Sequence, residues 1–553
     1  MGPRSNPIKI QTKRPRGHAP RTHRPGRAAG GAGMGAPGAR GGAPRAGAGA
    51  PAPLLAAVEA RGQRRGEAPF HVPGHARGRA ARLLPAGGPA VLGGAMEYDT
   101  TELRGLGCLG EAAGPVADAE ARAAAAFGSD RSWFLVNGSS AGIHAAVLAT
   151  CAPGDTLVLA QNAHRSALAA LVLSGARPEW VQPEVDTGLG LAHGVTAAAV
   201  AGALQAAEDA SRRVGAVLVV SPTYFGACSD ITALARVCHS HGVPLIVDEA
   251  HGSHLALLSR VGRGLTPPSG GFPAGALACG ADLVVQSTHK TLPALTQSAM
   301  LHQLGACVDP QRVSLALQML QSSSPSYILM ASLDAARAAV EGLAGGGEGS
   351  AELRELLERV ARLRRSLGAL SGVGLVEAGS PGVRSADPLR LTVVTLGLGV
   401  SGFAVAEELE SHFGVVPELA TPSCVVLAVP LGTRPADLDR VAEAFGGLAC
   451  SADAGVETHV ISGDWAHTPS LEMAVSPREA YFAPAESVPL AEAIGRVGAE
   501  MVCPYPPGIP LVVPGSRVTA EALAALQTIE TLGGTVTGAS DPALRSLRVL
   551  RRS

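Results

Sequence analysis

The chain is poor in charge. Only 16% of its 553 residues are Asp, Glu, Lys or Arg, against about a quarter in an ordinary globular chain. With 45 basic and 46 acidic residues the formal net charge is −1. Without a basic excess, a dedicated nucleic-acid binder is excluded. No run of about 20 apolar residues occurs, so no membrane span is expected. The nine cysteines are scattered and none form a Cys-x-x-Cys pair. That pattern suits a reducing compartment, and neither a structural zinc site nor any other metal is expected. Acid is missing altogether up to Val58; Glu59 is the first acidic residue.

The same 58 residues hold ten Lys and Arg, among Gly, Ala and Pro. The average therefore hides a +10 leader on a body of −11. The leader has too little apolar surface to offset its ordering entropy and is expected to be disordered. It lacks the hydrophobic stretch of a secretory signal. An Arg-rich, acid-free composition suits an organellar transit peptide, although Ser is scarce. A low-complexity extension with no address is the other reading. Contact with RNA or anionic lipid is disfavoured because no aromatics are interleaved. Without an organellar address the chain is expected in the cytoplasm.

The length predicts three or four domains, and 46% apolar residues supply a large core. From about Ala60 to Met330, short apolar runs alternate with Ala/Leu-rich stretches. SWFLVNG, DTLVLAQ, EWVQPEV, GAVLVVSPTY, VPLIVDEAH and ADLVVQSTHK read as buried strands. AGIHAAVLATCAP, HRSALAALVLSG and DITALARVCHSHG read as helices. This alternation predicts a mostly parallel α/β sheet covered on both faces. After GGGEGS and a charged helix, LRLTVVTLGL, GFAVAEELESHFG, CVVLAVPLG and ADLDRVAEAFGGLA predict a smaller α/β unit. A linker follows near 451–464, then a C-terminal segment. The predicted boundaries are 1–58 for the leader, 59–345 for the large domain, 346–455 for the small one and 456–553 for the last.

Ligands of such sheets sit at the carboxyl ends of strands, and four stations there carry chemistry. Asn137-Gly138-Ser139-Ser140 precedes a helix, where small residues and free N–H groups suit an anion. Asp248, in VDEAHG, is costly at the end of an apolar strand unless it meets a cation such as a protonated pyridine, or caps a helix. Lys290, in QSTHK, is an amine nucleophile if buried and an ordinary surface lysine if not. His164 stacks on an aromatic ligand or lies in a solvated loop. Each alone is weak; in this chain order they describe a pyridoxal-phosphate enzyme, with phosphate anchor, ring stack, pyridinium partner and Schiff-base lysine.

At these residues the sequence resembles the major Orn/Lys/Arg decarboxylases, bacterial-type enzymes of aminotransferase-like fold (fold type I). The resembling stretches include FHVPGHARG (70–78), YDTTEL (98–103), FLVNGSSAGIHAA (134–146), VSPTYFGACSDI (220–231), VDEAHGSHL (247–255), QSTHKTLPALTQSAMLH (286–302), SSPSYILMASLD (323–334), SPREAYF (476–482) and AEMVCPYPPGIPLVVPG (499–515). The resemblance implies a fold type I large domain, a small α/β domain and a decarboxylase-type C-terminal domain. It implies pyridoxal 5'-phosphate as cofactor, with Lys290 as the Schiff-base lysine and Asp248 as the partner of the pyridine nitrogen. It further implies that His164 stacks on the ring, that Ser139, Ser140, Ser287 and His289 hold the phosphate, and that Ala250 and His251 line the ring, His251 nearest the reacting centre.

The implied reaction is decarboxylation of a basic amino acid, arginine before lysine or ornithine, to the amine used in polyamine biosynthesis. Lys290 or His251 would then protonate Cα. Glu500 and Glu102 are the candidate contacts for the substrate's cationic end. A homodimer or higher homo-oligomer with a shared active site is implied, without membrane or nucleic-acid partners. Departures from the family pattern fall at Ala76, at Arg104 to Cys108 and at Ser516. The alternatives are an aminotransferase or lyase, which the YPPGIP segment opposes, and an inactive regulator of a related decarboxylase, which intact Asp248 and Lys290 oppose.

Overall fold

The computed structural model describes residues 50–64, 66–262, 271–347, 349–452, 471–505 and 508–552. Most of the expected leader, most of the expected linker, and Pro506 and Pro507 of YPPGIP lie outside them.

The six apolar runs form strands β1 (Arg131–Leu135), β2 (Thr156–Ala160), β3 (Arg177–Val181), β4 (Val214–Val220), β5 (Leu245–Asp248) and β6 (Leu283–Gln286). A seventh strand, β7 (Ala299–Gln303), completes one sheet in the order β1-β7-β6-β5-β4-β2-β3. Neighbours are parallel except at β7, which runs antiparallel to both β1 and β6.

Side chains alternate between the two sides of a strand, and here both sides are dry. Leu157, Leu159, Ala216, Leu218, Ile246, Leu283 and Val285 share one apolar cluster with residues of the helices Gly138–Thr150, Arg165–Ser174 and Pro310–Leu320. Val158, Ala160, Val217, Val219, Val247 and Val284 share the other with residues of Pro115–Phe127, Ile231–Ser240 and Tyr327–Ala344. Burial on both faces is why these strands read as unbroken apolar runs.

A second sheet consists of β8 (Gly374–Leu375), β9 (Arg390–Val394), β10 (Leu419–Ala420) and β11 (Cys424–Ala428), antiparallel in the order β8-β9-β11-β10. It is tied to the large sheet's turns in two places. Ala227–Cys228 pairs with Ser385–Ala386, and His254 Nε2 lies 2.9 Å from Asp387 Oδ1, both buried. The C-terminal segment pairs Ala485–Pro489 with Ser546–Leu550 and Cys503–Tyr505 with Thr535–Thr537.

One expected boundary is corrected. The leader was expected to reach residue 58, but a helix runs over Pro53–Gly62, with Leu54 and Val58 buried one turn apart. Proline suits its first turn. Its free N–H groups are met from another helix: Asp334 Oδ2 accepts from Leu54 N–H (2.8 Å) and Leu55 N–H (3.2 Å). The other oxygen of Asp334 pairs with Arg337, and both side chains are fully buried. Arg337 also donates to the Pro51 carbonyl (2.7 Å).

Removing one partner of a buried ion pair strands the other charge, at a cost of about 3–5 kcal/mol. Asp334→Ala is therefore expected to lower stability by about that amount. Its thermal unfolding midpoint, measured beside that of the parent protein, checks this; an unchanged midpoint contradicts it.

Candidate active site

The carboxyl ends of β1, β2, β4, β5 and β6 converge on a cleft of about 570 Å³. Its lining includes Ser139, Asn162, His164, Thr223, Tyr224, Asp248, Ala250, His251, Lys290, Gly508 and Ile509. Six of the expected site residues, those at 139, 164, 248, 250, 251 and 290, thus meet in one place. The last two residues come from the C-terminal segment.

Asp248 ends β5 and sits between Val220 of β4 and Val285 of β6. Its Oδ1 accepts from Ala250 N–H at 3.1 Å. Burial pushes this carboxyl up, while Lys290 and the Ala250 N–H pull it down. Neighbouring Glu249 has a structural task. It accepts from Ala276 N–H and Gln286 Nε2, each at 2.7 Å, and burial raises it to about 7.

Lys290 lies on the single helical turn Thr288–Thr291 after β6. The chain has three lysines, Lys9, Lys13 and Lys290, so this is the only one in the folded body. Burial holds its amine below the ordinary lysine range, and Arg390 adds to this; Asp248 and Glu418 oppose it. Its Nζ is 3.1 Å from His251 Nε2. Arg390 Nη2 donates to His251 Nδ1 at 2.9 Å. The Tyr224 ring tilts against His251, centroids 4.3 Å apart, and Lys290 Nζ lies 5.6 Å from the Tyr224 centroid.

His164 caps the helix Arg165–Ser174, its Nδ1 accepting from Ser166 N–H. Burial first, then Lys290, Arg165 and His144, depress its imidazole to about 4. It is a neutral ring facing the cleft, which excludes the solvated-loop reading.

The hydroxyl stations differ among themselves. Ser287 Oγ donates to Ser139 Oγ at 2.7 Å, at the start of the helix Gly138–Thr150. Gly138 there has φ +73, a conformation natural to glycine. Ser140 lies in the same first turn but is not among the cleft-lining residues. His289 is not among them either. Its Nδ1 donates to the Ser298 carbonyl at 2.8 Å, anchoring the lysine turn to β7.

Neither carboxylate expected to meet the substrate lines this cleft. Glu500 accepts from Ser540 N–H (2.8 Å), Ser540 Oγ (2.7 Å) and Arg548 N–H (2.9 Å). It holds the C-terminal segment together. Glu102 accepts from the Thr101 hydroxyl and faces a different cavity, of about 1080 Å³, with Cys108, Glu120 and Trp133. Ser516, at the position of a family acid, closes its own turn by bonding Val513 N–H and carbonyl.

Sequence reasoning missed Thr223, Tyr224 and Arg390. The first two follow β4 in a stretch already noted, and strand-end position could have singled them out. Arg390 opens β9 of the other sheet, and no strand-end rule of the large sheet reaches it. It fits because Gly226 (φ +83) passes so close that a Cβ there would lie 2.8 Å from Arg390 Cβ. Among the described residues one group of potential metal ligands occurs, His239, Asp282 and Cys307. Asp282 precedes β6 at the opposite end of the sheet, and its Oδ2 is engaged by His239 Nε2 (2.9 Å) and Leu245 N–H (2.8 Å).

Residues 52–387 match the family described as Orn/Lys/Arg decarboxylase, major domain, and 464–537 match its C-terminal domain. The arginine decarboxylase of Halalkalibacterium halodurans is 33% identical over 507 residues, covering 90% of this chain and 97% of that protein. The arginine decarboxylase of Bacillus subtilis is 34% identical, covering 87% and 94%. Among solved structures, the lysine decarboxylase of Francisella novicida superposes with a TM-score of 0.75 at 21% identity, covering 90% of this chain and 81% of that one. The fold is aminotransferase-like, fold type I, and the chain belongs to the Orn/Lys/Arg decarboxylase family.

Proposed function

We propose that the chain decarboxylates a basic amino acid, arginine before lysine or ornithine, using pyridoxal 5'-phosphate held in the cleft. The observation that carries this reading is the one lysine among the described residues, half-buried just after a strand end in the same cleft as a buried Asp248 and His251. The arginine preference is supported by the two Bacillaceae-type relatives named above. An aminotransferase or lyase on this site would form a keto acid instead, and a product assay separates them.

The residues present fit the cofactor. Asp248 is desolvated with one N–H donor, an arrangement that favours a cation such as a protonated pyridine against it. Thr223 Oγ1 is buried in the cleft wall without a partner and suits a ring substituent. Ser139 and Ser287 offer hydroxyls beside a helix N-terminus, where an anion is stabilised. When bound, this cofactor supplies a ring that accepts the electron pair left at Cα as carbon dioxide departs.

The chain's own side chains do the rest. Asp248 keeps a proton on the ring nitrogen by its charge. His164, neutral and capped, offers an apolar face to the ring. Lys290 would hold the group, and Lys290 or His251 would return a proton to Cα. Gly508 and Ile509 add a wall to the cleft from the C-terminal segment.

Glu418 is not among the cleft-lining residues either, but its charge reaches Lys290 and Tyr224, and on that ground it is the carboxylate proposed for the substrate's cationic end. It immediately precedes β10 and is exposed. A homodimer is supported by the apolar side chains left exposed between Phe70 and Leu92, namely Phe70, Val72, Leu83, Val91 and Leu92, since a large exposed apolar patch marks an interface. If the acid-free leader is a transit peptide the destination is a chloroplast or other organelle, and otherwise the cytoplasm; sequencing the N-terminus of the protein recovered from its source separates the two.

Two outcomes are expected. Lys290→Ala abolishes both carbon dioxide release and the visible absorbance of the lysine-bound cofactor; retention of either contradicts the assignment. Glu418→Gln raises KM for the basic amino acid about tenfold, equivalent to about 1.4 kcal/mol, with kcat little changed. Steady-state kinetics on arginine, lysine and ornithine checks this, and an unchanged KM on all three removes Glu418 from the substrate site.

A further inference from the structure

We propose that Arg390 is a positioning residue: it locks His251 in the Nε2–H tautomer and so keeps Lys290 an uncharged amine. This rests on the reading of Lys290 as the cofactor lysine.

Donors and acceptors decide the tautomer. A guanidinium can only donate. Arg390 Nη2 lies 2.9 Å from His251 Nδ1, so Nδ1 must present its lone pair. A doubly protonated ring has no lone pair there. A ring accepting at both nitrogens would be an anion, foreign to neutral pH. What remains is the neutral ring with its proton on Nε2. That N–H points at Lys290 Nζ, 3.1 Å away, and only an uncharged amine has a lone pair to receive it. The donors therefore run one way, from Arg390 through His251 to Lys290. Without Arg390 the ring is free to move its proton to Nδ1 and accept from an ammonium.

Arg390 is well placed for this task. It is 4% exposed, at the head of β9. Its close approach depends on Gly226. Its Nη1 is buried without a partner, beside a small cavity that Lys290 also lines. Other groups act on the pair. Asp248 and Glu418 favour a charged Lys290, whereas burial and Arg390 oppose it. His251 is held far below the usual imidazole range by burial, then by Lys290, Arg390, His164 and His254. Two carboxylates thus pull toward the ammonium, and the hydrogen-bond direction set by Arg390 counters them.

The chain's lysine scarcity gives a direct test. In cofactor-free full-length protein, an amine-selective acylating reagent is applied over a pH series. The peptide containing Lys290 is then quantified by mass spectrometry. The parent's labelling midpoint is expected below that of Lys9 and Lys13. Arg390→Met is expected to raise it by about one pH unit, a tenfold change in the neutral fraction, and Arg390→Lys by less. In a His251→Phe background the same Arg390→Met change should move the midpoint less, which separates relay from direct charge. Ring-nitrogen NMR of histidine-labelled protein should place the His251 proton on Nε2. A proton on Nδ1, a superimposable Arg390→Met profile, or an equal shift without His251 each overturns the inference. So does a rise in substrate KM with both readouts unmoved, which would confine Arg390 to the substrate's carboxylate. Failure of the underlying lysine assignment shows separately, as cofactor absorbance retained by Lys290→Ala. Near-ultraviolet circular dichroism establishes that each variant is folded.

Discussion

A carboxylate at the end of a strand that is dry on both faces has no water to stabilise it, and the cleft is organised around that constraint. Asp248 lies between Val220 and Val285, with one backbone donor. Its charge is tolerable only beside a cation. Lys290 is the nearest candidate in the chain itself, but it too is desolvated, and it is further opposed by Arg390. The two groups thus stand in one pocket without the ion pair that would satisfy both. On the proposed reading, a cationic ring held between them would relieve Asp248 and leave Lys290 free to act as a nucleophile. The cost of burying unmatched groups is met by a sheet whose two apolar layers supply the large core.

That same double burial decides how much could be read in advance. Strands β1 to β6 were legible because covered parallel strands leave continuous Val/Leu/Ile runs, and a polar residue ending such a run marks the site edge. Asp248, His164, Ser139 and Lys290 were found this way. β7 was not, because AMLHQ places two polar residues in a five-residue strand. The polarity is satisfied internally: His302 bonds Ser132 Oγ (2.7 Å) and Gln286 (3.1 Å), and Gln303 donates to the Val308 carbonyl (2.5 Å). Tertiary partners that polarity alone does not announce converted a loop-like segment into a central strand.

The leader boundary and the substrate acids were misplaced for a related reason. A stretch of Ala, Leu and Pro before Glu59 looks like leader by composition. It becomes helix because Asp334, nearly 300 residues away, receives its N–H groups. Glu500 looked like a substrate contact by position in a resembling segment, yet its oxygens serve Ser540 and Arg548. A motif gives a residue's neighbours in sequence, whereas its chemical task follows from which donors it faces.

Arg390 shows what the second sheet adds to the first. The large domain alone assembles Asp248, His251 and Lys290, but nothing in it fixes which nitrogen of His251 carries the proton. That decision comes from β9, held against the large domain by the Ala227–Cys228 pairing and the buried His254–Asp387 contact. The state of the nucleophile is thereby coupled to how the two domains are docked, and a residue with no place in the strand-end pattern carries the coupling. An acidic body of net −11 attracts a basic amino acid from a distance, but long-range charge is blind to bond order and tautomer. Those are settled at contact, by a guanidinium that can only donate and an imidazole that has one proton to place.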